Sequence, residues 1–262
     1  MNGDFLNNIL LAIFGYSTGI FVGTVSGTAE ALMIPCLTIF LGYSMHNSIG
    51  TSLSIDCIIG GVAGLIFLKN NNVDVKSSAL LISVSVIFAF IGSQFTTYAP
   101  ETGLTIVIGF ILILIGINFI ANGVQKNIEY INSKINFKIF RKNKNIFFVL
   151  IGIIVGLFSG FLGMGSGGMV ATVLVLVLGY DLHSAIGTSL VTMFFIAGAG
   201  ALGHAINQEI IIHVIPIAGI TAAVGAVSGS FLANKIDEKE LGKLIGVIVL
   251  ILGVFITTKI FL

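Results

Sequence analysis

Charge is scarce in this chain: 9% of its 262 residues, 12 basic and 11 acidic, against roughly a quarter in ordinary soluble domains. With 56% hydrophobic residues and a mean hydropathy of +1.11, that scarcity excludes a soluble enzyme and points to an integral membrane protein. A net charge of +1 is too balanced for a nucleic-acid partner and too sparse for a general binder of anionic surfaces. Cysteine is equally rare, and because Cys36 and Cys57 both lie in apolar runs no disulfide framework is expected. Nucleotide and metal signatures are missing as well: there is no G-x-x-x-x-G-K-S/T and no H-E-x-x-H, and the four histidines are scattered. No cofactor and no ATP are called for, and an intramembrane enzyme lacks a paired nucleophile and base.

What is abundant is apolar length. It supports about eight to ten crossings of about 20 residues, with almost nothing left for an extramembrane domain. The runs lack the period-two alternation of barrel strands, so they are read as helices. The start, MNGDFLNNILLAIFGY, has neither a basic n-region nor a cleavage site and reads as the first membrane segment. Since an ionised side chain costs about 2.5 to 3.5 kcal/mol at a helix centre, the charges trace the loops. Lys69, Asp74 and Lys76 mark one, Glu101 another, and Lys126 to Lys144 a long basic connector; Asp181, Glu209 and the run Lys235 to Lys243 mark the rest. Only Glu30 and Asp56 fall inside apolar segments.

The chain is a tandem duplication. GYSMHNSIGTSL at 42–53 recurs as GYDLHSAIGTSL at 179–190, an offset of 137 that also pairs Gly15, Gly19 and Gly23 with Gly152, Gly156 and Gly160 without a gap. Residues 1–125 form the first transmembrane repeat, 126–145 a cytoplasmic basic linker and 146–262 the second repeat. The fold class expected is an all-α polytopic membrane protein made of two inverted-topology repeats of about five helical segments each. In the first half these fall near 6–26, 29–43, 47–68, 77–97 and 103–124. The second is short: 15 helical residues reach about 22 Å of a core near 30 Å, so it either spans or re-enters. Crossings per half are then five or three, and either odd count inserts the second half upside down. Loop charge agrees. Loop 69–76 has two lysines and its mate 206–213 none, whereas 98–102 has none and its mate 235–239 has two. An even count would put basic and bare loops on mismatched sides. Inverted repeats recur in secondary transporters, which hold substrate near the midplane where the repeats meet.

Between the first two segments of each half lies a glycine-rich break, GTVSGTAEA at 23–31 and GFLGMGSGGM at 160–169. Glycine lets the backbone leave the helix and approach a ligand, and bare N–H groups opening the next helix attract an anion. The upstream ladders, Gly15 to Gly23 and Gly152 to Gly160, are read instead as close helix packing.

Gly-rich break, short apolar helix, then Ile49-Gly50-Thr51-Ser52-Leu53 and Ile186-Gly187-Thr188-Ser189-Leu190, in that order in each half, resemble the sulfite exporter TauE/SafE family over nearly the whole chain. The resemblance implies a multi-pass transporter of the cell membrane that moves anions, chiefly sulfite and organosulfonates. It also implies a substrate site lined by the two breaks and the two Gly-Thr-Ser starts: Gly27, Thr28, Thr51, Ser52, Gly165, Ser166, Gly167, Gly168, Thr188 and Ser189. Here Ala29, Glu30 and Ala31 stand where the second half has Ser166, Gly167 and Gly168, and Thr172 stands where the first has Pro35. The hydroxyls could equally serve backbone carbonyls or helix caps.

Glu30 and Asp56 face Gly167 and Met193 across the repeat, so their role is asymmetric, and proton coupling is the one expected. An ionised Glu30 would oppose an anion beside it, which favours a proton moving with the anion. The rival for Asp56 is a simple hydrogen bond to a neighbouring helix. His46 and His183 match each other before the central helices and suit capping as well as gating, His204 is a third coupling candidate, and His213 reads as a loop residue. The competing function is a channel or metal-cation carrier using Glu30 and Asp56. The partners expected are a small inorganic or organic anion and the lipid bilayer, and the architecture is compatible with a homo-oligomer.

Overall fold

The computed structural model describes residues 2–121, 144–164, 166–175, 179–233 and 238–258. Among these are ten α-helices and no strand, the layout of an all-α polytopic membrane protein. In the first half α1 spans Asn2–Val25, α2 Glu30–Pro35, α3 Met45–Lys69, α4 Val75–Thr96 and α5 Glu101–Ala121; α2 runs on as a π-helical turn over Cys36–Phe40. In the second, α6 spans Lys144–Leu162, α7 Ser166–Val173, α8 Leu182–Ile206, α9 Ile215–Leu232 and α10 Glu238–Thr258. The linker expected at 126–145 lies outside the described residues except for Lys144 and Asn145, which already belong to α6.

Seven described helices are long and apolar enough to cross a bilayer, fewer than composition alone implied. Local chemistry accounts for the difference. The stretch Glu30–Phe40 is too short, α7 has eight residues, and α10 opens on the charged residues Glu238, Lys239 and Glu240 with Lys243 a turn further on. Pro35 brings no amide to the helix, and just after it the ladder widens, with Leu41 N donating to Cys36 O at 3.2 Å.

The two central helices start alike. Ser44 accepts from Asn47 N to cap α3, and Asp181 accepts from Ser184 N to cap α8. They are the two most buried spans and they pack on each other. Around them α1 lies on α9, α4 on α6, and α5 on α10. Under the offset of 137, α1 corresponds to α6 and α9 to α4, so the first two pairs are counterparts of one another.

The glycine ladders make these pairs close. A methyl group at Gly23 would stand 2.6 Å from Ala226 O, and one at Gly156 would stand 2.5 Å from Ser85 O. Both distances are to backbone, so the glycines set the helix separation, which is the packing role expected of them. Large apolar side chains such as Phe110, Leu202 and Phe231 point outward, where acyl chains would meet them.

Candidate functional site

Both breaks leave the helix through a left-handed residue. Gly163 has φ +75°, easy for glycine, whereas its counterpart Ser26 holds φ 52°, a conformation a side chain resists. Ser26 is anchored: its hydroxyl lies 2.6 Å from Ser189 Oγ, and because Ser189 donates to Ile186 O at 2.8 Å, Ser26 is the donor. The first break is therefore tied to the start of α8.

The two breaks also touch each other. A Cβ on Gly167 would meet Gly27 O at 2.7 Å, Ser26 O at 2.8 Å and Ser26 Oγ at 3.0 Å, so the start of α7 lies directly on the first break. From the other side Glu30 reaches the second break, its Cγ 3.0 Å from the Cβ position of Gly163. Gly27 itself is covered by the ring of Phe21. Of the expected substrate residues, the structure brings Gly27, Thr28, Ser166, Gly167, Gly168 and Ser189 into or beside this junction; Ser52 lies buried on α3 one turn before Asp56, which reaches Ala29 N, and Gly165 lies outside the described residues.

Thr51 and Thr188 are placed differently. Thr51 Oγ1 donates to Asn47 O at 2.6 Å and accepts from Ile211 N at 2.9 Å; Thr188 Oγ1 accepts from Asp74 N at 2.9 Å. Asp74 and Ile211 are separated by the same 137 residues, so each central helix holds the loop that follows the other. Their hydroxyls are committed to these tethers.

Polar atoms without partners concentrate at the junction. Among the described residues Thr28 Oγ1, Ser52 Oγ and Ser166 Oγ are buried and make no hydrogen bond, and the Glu30 carboxyl and Asp56 Oδ2 have no side-chain partner but each other. Asp56 Oδ1 accepts from Ala29 N at 2.8 Å, satisfying an amide at the entry to α2, a helix without a side-chain cap of its own. The rival role for Asp56 is thus present in one oxygen and absent in the other. Glu30 and Asp56 are close enough for a charge on one to be felt by the other. Ser52 and Asp56, four residues apart, share a face of α3. A cavity of about 650 Å³ between α5, α6 and α7 reaches Thr28 and Gly168 through walls that include Ile111, Phe158 and Met164. Among the described residues no group of three or more His, Cys, Asp or Glu side chains is placed to hold a metal ion.

The histidines divide by role. His46 Nε2 lies 3.1 Å from both Thr96 O and Ala99 O, fastening α3 to the end of α4; His183 is half-buried in the first turn of α8; His213 Nε2 lies 2.8 Å from Tyr43 OH. His204 is fully buried, with Nδ1 2.6 Å from Glu209 Oε2 and Nε2 3.0 Å from Gly160 O. Sequence reasoning missed two features. Ser26 had one signal, a serine at the position of Gly163; Glu209 had none, since a carboxylate between apolar segments reads as a solvated loop.

Residues 9–256 match the family described as sulfite exporter TauE/SafE. The chain is 21% identical over 233 residues to "Probable membrane transporter protein YdhB" of Bacillus subtilis, covering 87% of this chain and 89% of that one. It is 26% identical over 242 residues to another protein named as a membrane transporter, from Methanocaldococcus jannaschii, covering 88% and 86%. No solved structure matches it significantly.

Proposed function

Given that the chain belongs to the sulfite exporter TauE/SafE family of membrane transporters, multi-pass proteins of the cell membrane, we propose that it moves sulfite or a related organosulfonate or small anion by alternating access, as an exporter coupled to protons. The observation that carries this reading is the set of unpartnered buried oxygens where the two breaks meet. A buried hydroxyl left unsatisfied costs about 1–3 kcal/mol, and three of them beside a buried pair of carboxyls are best explained by a polar ligand that completes them. Thr28, Ser52 and Ser166 are the donors offered to an oxyanion, and the first turn of α7 adds the amides of Gly167 and Gly168.

Glu30 and Asp56 govern the coupling. Ionised, they repel an anion at the junction; protonated, they become further donors, so the anion is held when a proton is held. Residues 1–125 and 146–262 act as inverted repeats about this junction, and the 126–145 linker keeps both basic faces in the cytoplasm. Support comes from counterparts at the offset of 137: Gly42 with Gly179, both left-handed, and the Thr51 and Thr188 tethers. Thr51 and Thr188 then serve as gate anchors rather than substrate ligands.

The test is uptake of labelled sulfite into proteoliposomes with and without an imposed pH gradient, challenged by sulfate, thiosulfate, sulfoacetate and a carboxylate. Saturable sulfite flux that follows the gradient, and loses that dependence in Glu30→Gln, supports the proposal. Flux of another anion moves the substrate; an unchanged pH dependence in Glu30→Gln removes the coupling role. The buried carboxyls of Glu30 and Asp56, set beside each other, also favour a second reading, a cation carrier. Absence of any anion flux, with stabilisation of the folded protein by a divalent cation, would select it.

A further inference from the structure

The loops after the two central helices are tethered alike but seated on different chemistry. After α3, Asp74 N binds Thr188 and Asn72 O presses on Gly187; after α8, Ile211 N binds Thr51 and Glu209 O presses on Gly50. In each case an aromatic side chain of the preceding helix packs on the same glycine, Phe67 on Gly187 and His204 on Gly50. Phe67 and Asn72 are the counterparts of His204 and Glu209. One of two matching seats is apolar and amide, and the other is ionisable.

We propose that His204 and Glu209 form a proton-binding latch that makes the 207–211 loop, and with it the gate over the start of α3, open and close with pH, while the matching gate at 70–74 lacks such a latch. The latch stands on geometry alone; its consequence for flux rests on the transporter reading above. A carbonyl can only accept, so Nε2 carries a hydrogen and donates to Gly160 O. That carbonyl belongs to the last turn of α6, where no intrahelical donor remains, three residues before the left-handed Gly163. Nδ1 and Glu209 Oε2, 2.6 Å apart, share one more proton. Remove it and the one remaining ring hydrogen serves either Glu209 or Gly160, so a lone pair faces an acceptor on the other side. The latch is fully closed only while both ring nitrogens carry a hydrogen.

Burial pushes the Glu209 carboxyl up, but the hydrogen bond and charge of His204, a hydrogen bond from Thr97 and the charge of His46 outweigh it and hold it below the usual carboxylate range. With Glu209 held as the carboxylate, the donor between Nδ1 and Oε2 is the imidazole, and withdrawing that proton leaves the contact without a donor. Among the described residues, the other titratable group bearing on the pair is His46 of α3; Thr97, just past α4, and the Gly160 carbonyl of α6 are uncharged. Asp74, in the matching loop, binds Tyr180 OH at 2.6 Å rather than a histidine.

Amide hydrogen exchange of the purified full chain tests the latch without any substrate. Protection of Ile211 N–H, scaled for intrinsic rate and divided by that of Asp74 N–H, is expected to fall at least about tenfold between the acid and alkaline ends of the pH range in which the chain stays folded. The double variant His204→Phe, Glu209→Asn places the counterpart residues in the seat and is expected to fold and lose the pH response. Glu209→Gln, whose amide pairs with either form of the imidazole by flipping, should flatten it too. A flat ratio in the unmodified chain, or an undiminished response in both variants, overturns the latch. Absence of sulfite flux together with a pH-dependent ratio would count against the substrate reading and still support the latch.

Discussion

Gly167 and Gly168 are adjacent in the first turn of α7, yet alanine should act differently at the two. At Gly167 the added methyl meets two backbone carbonyls and a hydroxyl of the first break at 2.7, 2.8 and 3.0 Å, all tighter than ordinary contact. At Gly168 its one close neighbour among the described residues is Ser26 O at 3.5 Å, an ordinary contact. Either change improves helix propensity by about 1 kcal/mol, so that contribution cancels in the comparison. What remains is overpacking, typically about 1–3 kcal/mol, which lowers the population of the conformation with the breaks in contact by roughly five- to 150-fold. The assay is labelled sulfite flux in proteoliposomes beside thermal unfolding in detergent, for both variants in parallel. Gly167→Ala should lose flux by at least about fivefold and melt lower, with Gly168→Ala near the unmodified protein. Equal behaviour of the two would refute the contact between the breaks as a working part of the protein.

Three further outcomes follow from the same geometry. Thr51→Val and Thr188→Val each strand a loop amide, Ile211 N or Asp74 N, and should each destabilise by about 1–3 kcal/mol, seen as similar drops in melting temperature. At Gly61 a methyl meets only the edge of the Phe194 ring at 3.2 Å, so Gly61→Ala should be neutral or stabilising, whereas Gly156→Ala, 2.5 Å from a backbone carbonyl, should melt lower; the reverse order would undo the packing argument. The Ser184 hydroxyl and amide hold the Asp181 carboxyl below the usual carboxylate range. A lowered value means stabilisation present at neutral pH and lost as acid protonates the group, so the difference between Asp181→Ala and the unmodified chain, about 1 kcal/mol by thermal unfolding, should shrink on acidification.

The sequence by itself determined the membrane class, the segments, the duplication and the family. Hydrocarbon forces backbone hydrogen bonds to close within each segment, so a continuous apolar run becomes a helix whatever its neighbours, and the expected 47–68 and 77–97 became α3 and α4 within two residues at each end. The Gly-Thr-Ser starts were legible as motifs because the offset of 137 repeats them in the chain. What their hydroxyls do was decided by tertiary structure, since Thr51 is satisfied by Ile211 and Ser189 by Ser26, partners more than 150 residues away. The same holds for the orphaned hydroxyls of Thr28, Ser52 and Ser166: an atom is unpartnered only relative to everything folded around it. His204 and Glu209 lie five residues apart in the chain, yet they form a buried pair rather than a solvated one because α6 brings Gly160 against one side of the imidazole and α3 brings Gly50 against the carboxylate's own backbone.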